Sequence, residues 1–276
     1  MPYLQVGKEN SGDIELYYED HGAGKPVVLI HGWPLSGASW ERQLPALLDA
    51  GHRVVTYDRR GFGKSSQPAV GYDYDTFAED LYKLITKLEL QDATLVGFSM
   101  GGGEVARYLS TYGADRAKKA VFISAIPPYL LKTPDNPEGV DRAIFEGVEQ
   151  GIVADRPAFL TEFLKNFFNT DVLKGKRISD QAVQMCWNIS AGASFKGTLA
   201  CVGAWLTDFR QELSRIEIPT LVIHGDSDRI LPLAATGQRT ANLVKGSKLA
   251  VVKDGPHGVI WTHGDEVNAE LVKFIG

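Results

Sequence analysis

Only two cysteines, Cys186 and Cys201, occur in the 276 residues of the chain. Two thiols so placed build neither a disulfide framework nor a zinc pattern, and inert, buried thiols are expected. No apolar run approaches the ~20 residues that a membrane-spanning helix needs, so no membrane partner is expected. The N-terminal stretch Tyr3-Leu4-Gln5-Val6 runs directly into Lys8 and Glu9. It lacks the apolar segment of a signal peptide, and a cytoplasmic location is expected. Basic runs are also lacking: 29 Lys and Arg are interspersed with 34 Asp and Glu, for a net charge of −5. Nothing in that pattern would neutralise a track of phosphates, which excludes nucleic acid as a partner. No group of His, Cys, Asp or Glu has metal-ligand spacing, so no metal is expected.

What is present is a large apolar fraction, 44% of residues, enough for one core plus a modest insertion. Pro26 to Ile30 is a continuous apolar run, as for a strand buried on both faces. Trp40, Leu44, Leu47 and Leu48 follow at helical spacing, and Gly51 ends that helix. Arg53–Tyr57 reads as a strand, and Phe77, Leu81, Leu84, Ile85 and Leu88 as one face of a helix. A strand from Ala93 to Val96, a helix from about Met100 to Tyr112 and a strand from Ala120 to Ile123 continue the alternation. Such alternation implies a parallel sheet with helices on both faces.

The alternation stops after Ala125. From Pro127-Pro128 to about Leu213 the sequence has helical patches rich in Phe and Trp but no buried strand. It resumes with Thr220–Ile223, a helix near Ala234–Leu243, Leu249–Val252 and a closing helix to Ile275. The expectation is an α/β core formed by residues 1–126 and 214–276, interrupted by a helical cap insertion at 127–213.

Gly97-Phe98-Ser99-Met100-Gly101 fits G-x-S-x-G and falls between an expected strand and an expected helix. A tight strand-to-helix turn projects the serine hydroxyl above the sheet, and the helix N-terminus favours developing negative charge. Ser99 is therefore the expected nucleophile, and it needs a base. Of six histidines, His31 and His224 read as loop-shaping residues at strand ends, and His21 and His52 as solvated. His263 lies close to the last helix. His257 sits in the Gly255-Pro256-His257-Gly258 loop after the final strand, where a base should hang over the serine. Asp226 and Asp228 both follow the Thr220–Ile223 strand; Asp228 is taken as the orienting carboxylate and Asp226 as turn-forming. The order Ser99, Asp228, His257 is that of the α/β-hydrolase fold. By position, the backbone N–H groups of Trp33 and Met100 form the oxyanion hole, and the Trp33 indole can equally wall the pocket. Pro34 restricts the conformation of Trp33.

His31-Gly32-Trp33-Pro34-Leu35, Asp58-Arg59-Arg60-Gly61-Phe62-Gly63, the elbow and the Gly255–Gly258 loop together resemble the cofactor-free, non-haem haloperoxidases. These are also described as bacterial aryl esterases and perhydrolases, with a γ-lactamase among their relatives. The likeness runs from about Tyr3 to Ile275. It implies an α/β-hydrolase fold with a mostly parallel eight-stranded sheet and a serine enzyme that hydrolyses small carboxylic esters through an acyl-enzyme. It also implies perhydrolysis, in which hydrogen peroxide replaces water and the released peracid oxidises halide without haem, vanadium or flavin. Members with proline after the oxyanion tryptophan are those associated with peracid chemistry. Carried over by position, Pro34, Leu130, Phe167, Ile230 and Leu231 would bind substrate, and a homo-oligomer is implied. The alternatives are a γ-lactamase or amidase on the same triad, or a non-catalytic ligand receptor on a hydrolase scaffold.

Overall fold

In a computed structural model that describes residues 2–276, eight strands form one sheet in the spatial order β1-β2-β4-β3-β5-β6-β7-β8. The strands are β1 (Tyr3–Glu9), β2 (Gly12–His21), β3 (Pro26–Ile30), β4 (Arg53–Tyr57), β5 (Ala93–Phe98), β6 (Ala117–Ile123), β7 (Thr220–Gly225) and β8 (Lys248–Val252). β1 and β2 pair antiparallel, as do β2 and β4, and every later pairing is parallel. Every residue of β3 and of β5 is buried, which is why these central strands read as unbroken apolar runs. The hairpin of β1 and β2 was not expected as strands, because β1 lies at the sheet edge with only Val6 fully covered.

Successive strand residues serve opposite faces. Val28, Ile30 and Leu95 enter the core under α2 (Tyr74–Lys87) and α3 (Met100–Tyr112). Val27, Leu29, Val96 and Phe98 enter the second core, under α1 (Gln43–Asp49) and the C-terminal helix. Helix α2 starts where Asp73 caps it by accepting from the Thr76 N–H at 2.9 Å, and it turns Phe77, Leu81, Leu84 and Ile85 to the sheet.

Between β6 and β7 the chain runs through α4 (Arg142–Phe167), α5 (Thr170–Leu173), α6 (Asp180–Ala191), α7 (Phe195–Ala204) and α8 (Arg210–Leu213). Helix α4 bends at Asp155, whose φ is −159° and whose carboxylate accepts from the Ala158 N–H at 3.0 Å. Pro157 falls in the first turn after this cap, where a missing N–H has no helical partner to lose. The remaining helices are α9 (Gly237–Leu243), α10 (Val259–Thr262) and α11 (Gly264–Ile275). Among the described residues no helix is long and apolar enough to cross a membrane.

Candidate active site

Ser99 joins β5 to α3 with φ 53° and ψ −117°, a left-handed conformation that costs a non-glycine residue ~1–3 kcal/mol. Backbone bonds impose it. The Ser99 N–H donates to the Ile123 carbonyl at 2.9 Å, and its own carbonyl accepts from Gly102 at 3.0 Å and Ile126 at 3.1 Å. The flanking glycines are there for close approach: a Cβ on Gly101 would lie 2.3 Å from the Ile30 carbonyl oxygen. One on Gly97 would lie 2.5 Å from the carbonyl oxygen of Gly101.

The turn aims Ser99 Oγ at His257, 2.9 Å from Nε2, while Nδ1 of the same ring lies 2.8 Å from Asp228 Oδ2. A carboxylate can only accept, so Nδ1 carries the proton and Nε2 is free to accept from the serine hydroxyl. Asp228 Oδ1 accepts from the Ile230 N–H at 2.9 Å and the Leu231 N–H at 2.7 Å. Burial pushes this carboxyl up, yet the attraction and hydrogen bonds of His257 and His224 outweigh it and hold the group well below the usual carboxylate range. All three side chains are nearly covered, with Ser99 and Asp228 at 6% exposure and His257 at 1%. Asp226, in the same loop, is exposed.

Two elements outside the loop fix the imidazole. The Gly258 N–H donates to the Phe167 carbonyl at the end of α4, at 2.8 Å, and the Phe167 ring stands edge-on to His257 at 4.9 Å. Phe98 covers a neighbouring side at 5.4 Å.

On the oxyanion side, Gly32 packs directly on the elbow, and a Cβ there would lie 2.9 Å from Ser99 Cβ. Met100 is the first residue of α3, and helix geometry leaves its N–H without an intrahelical acceptor. The loop is held from below. His31 Nε2 accepts from the Arg59 N–H at 2.9 Å, and its Nδ1 donates to the Gly32 carbonyl at 2.8 Å. Burial and the adjacent Arg59 guanidinium hold the His31 ring well below the ordinary histidine range, so it stays neutral. Arg59 Nη2 also reaches the His31 carbonyl at 3.0 Å, while its guanidinium pairs with Glu104 of α3 at 2.8 Å. Tyr57 donates to the other oxygen of Glu104. Burial raises the Glu104 carboxyl despite these partners.

A cavity of about 50 Å³ opens at Ser99 and His257, walled by Trp33, Ile126, Leu130, Phe163, Trp205, Ile230 and Leu231. It shares Leu130, Phe163, Trp205, Ile230 and Leu231 with an outer apolar chamber of about 350 Å³. The structure therefore brings Ser99, Asp228, His257, Trp33, Leu130, Ile230 and Leu231 together. Phe167 and Pro34, expected to bind substrate, are not in the wall: the Phe167 ring covers His257, and Pro34 is buried away from the cavity lining. Phe163 and Trp205 were missed. The signal for Phe163 was available, since Phe159, Phe163 and Phe167 recur at intervals of four on one helix face. His52 also departs from expectation, being 3% exposed rather than solvated. Among the described residues no three His, Cys, Asp or Glu side chains are grouped to hold a metal ion.

Comparison with known proteins agrees in fold and in kind. The family model described as the alpha/beta hydrolase fold matches residues 25–264. A crystal structure of bromoperoxidase from Bacillus anthracis superposes with a TM-score of 0.96 and 55% identity, covering 99% of each chain. A non-haem chloroperoxidase of Kitasatospora aureofaciens is 41% identical over 95% of this chain and 96% of its own. A bifunctional esterase/perhydrolase of Acinetobacter calcoaceticus is 36% identical, with the same coverage.

Proposed function

Because this chain belongs to the α/β-hydrolase family, within its branch of non-haem haloperoxidases and esterase/perhydrolases, we propose that it hydrolyses and perhydrolyses small carboxylic esters at Ser99. The observation that carries the proposal is the unbroken chain from Ser99 Oγ to His257 to Asp228, at 2.9 and 2.8 Å. His257 Nε2 takes the hydroxyl proton as Ser99 Oγ adds to the ester carbonyl, and Asp228 stabilises the imidazolium that forms. The N–H groups of Trp33 and Met100 receive the oxyanion. Collapse expels the alcohol, which leaves with the proton from His257, and the acyl group remains on Ser99.

The second half repeats these steps with a different nucleophile. Water gives the carboxylic acid; hydrogen peroxide gives the peracid. A released peracid then oxidises halide to hypohalous acid and returns to the carboxylate, so halogenation takes place in solution. Every step on the protein is a proton or acyl transfer.

We read residues 127–213 as a cap that completes the site. Its Phe163 and Trp205 narrow the space beside Ser99 to about 50 Å³, room for only a short acyl chain, while the outer chamber of about 350 Å³ takes the alcohol portion. The test is hydrolysis of p-nitrophenyl acetate, and bromination of a phenolic acceptor from acetate, peroxide and bromide. Ser99→Ala should abolish both, with a loss of at least about 10⁴-fold in ester turnover. Bromination that proceeds without acetate, or that survives Ser99→Ala, would sink the peracid route.

A further inference from the structure

Resting on the roles given above to Ser99, Asp228 and His257, we propose that His224 is a positioning residue, a second imidazole that clasps the Asp228 carboxylate from behind. His224 is the penultimate residue of β7 and is fully buried. Its Nε2 lies 2.7 Å from the Leu231 carbonyl and 3.3 Å from Asp228 Oδ2, the same oxygen that faces His257. A carbonyl only accepts, so Nε2 carries the proton and is shared between the two oxygens. The other ring nitrogen, Nδ1, has no partner among the described residues.

The arrangement closes a small ring. Asp228 Oδ1 holds the Leu231 N–H, the Leu231 carbonyl holds His224, and His224 faces Asp228 Oδ2. Tilting Asp228 away from His257 would break both ends of this ring. Leu231 also walls the cavity at Ser99, so one imidazole ties the carboxylate to the substrate space. Helix α9 keeps the ring in place: a Cβ on Gly237 would lie 2.6 Å from His224 Nδ1, so only glycine leaves the imidazole this position. Other charges face elsewhere. Asp226 is exposed, Arg229 pairs outward with Asp171 at 2.8 Å, and Arg239 of α9 donates to Asn136. The titratable groups on this carboxylate are thus His257 and His224.

Removing the His224 donor leaves the charge on Oδ2 less shared, so the imidazolium of His257 is held more tightly. The acidic limb of kcat/KM should then move to higher pH. For His224→Leu we expect kcat to fall about tenfold and KM to change less than about twofold. The acidic limb should rise by about half a unit. His224→Gln, which keeps a nitrogen donor at similar reach, should restore both kcat and the limb. Gly237→Ala, which shifts the ring without deleting it, should move the limb in the same direction and decides the matter if His224→Leu does not fold.

A merely structural histidine would lower the yield of folded protein and leave the limb where it was. An unmoved limb in His224→Leu and Gly237→Ala, or a Gln variant as impaired as Leu, overturns the proposal. Ser99→Ala in the same assay keeps the two ideas apart. If it is inactive while His224→Leu is unchanged, only the role of His224 fails; if it is active, the assignment of the nucleophile fails.

Discussion

On the sheet side of the site, Ser99, His257 and Asp228 are held by hydrogen bonds of 2.7–2.9 Å to backbone and ring nitrogens. On the cap side, Phe159, Phe163 and Trp205 meet the Trp33 ring through edge contacts, with centroids 4.7–6.4 Å apart. Hydrogen bonds fail steeply with angle, whereas ring pairs are worth only ~0.5–1.5 kcal/mol each and tolerate displacement. On the proposed reading, the carboxyl ends of the strands define where atoms react, and the cap defines what fits beside them. A change on the first side should cost turnover; a change on the second should redirect it.

The sharpest break comes from Asp228→Asn. It preserves shape but offers His257 the wrong partner, and kcat should fall about 10⁴-fold with KM little changed. Steady-state kinetics on p-nitrophenyl acetate check this, and a loss under tenfold would place Asp228 outside the reacting unit. Glu104→Gln attacks the same side from below. It leaves Arg59 buried with half a partner, and breaking such a pair costs about 3–5 kcal/mol. Urea unfolding should show that loss, and a stability within about 1 kcal/mol of wild type would mean the pair is dispensable.

Acid supplies a milder perturbation. The Asp228 carboxyl is held lower in the folded chain than in the unfolded one. Its stabilising contribution is therefore complete above the ordinary aspartate range, about pH 4, and is lost as pH falls through that range toward the folded value. The gap in urea midpoint between wild type and Asp228→Asn should close as pH falls below about 4. A gap that widens below that pH contradicts the sign. The smallest effect belongs to the cap: Trp205→Ala should shift preference toward longer acyl chains by about tenfold while leaving turnover of the best substrate near wild type. A profile unchanged across a chain-length series would show that Trp205 does not bound the acyl space.

The same contrast explains what could be read before the fold was known. Buried parallel strands such as β3 and β5 advertise themselves as apolar runs, and the helix expected from about Met100 to Tyr112 is present over that span. Ser99 and Asp228 follow the buried strands β5 and β7, and His257 follows the edge strand β8, so their order and setting pointed to residues that the fold joins in one hydrogen-bonded chain. The cap offered no such anchor. A phenylalanine at 163 and one at 167 look alike in sequence, and only packing decides that the first faces the cavity and the second covers His257. His224 escaped for another reason: its partner oxygens belong to Asp228 and Leu231, and a histidine near the end of a strand carries no mark of either.

The bond from Gly258 to the last turn of α4 and that from Trp33 Nε1 to the Thr198 carbonyl at 3.1 Å are two of the stitches between cap and core that lie beside the site, with others such as Ser194 N–H to the Gly61 carbonyl at 2.7 Å further out. For protein engineering this sets where chimeras can be cut. A cap exchanged at the β6 and β7 boundaries alone would arrive with foreign anchoring points, whereas a transplant that also carried the 255–258 loop and the Trp33 turn would bring its own. Recombinants of the second kind should survive more often, because the seams would move with the roof.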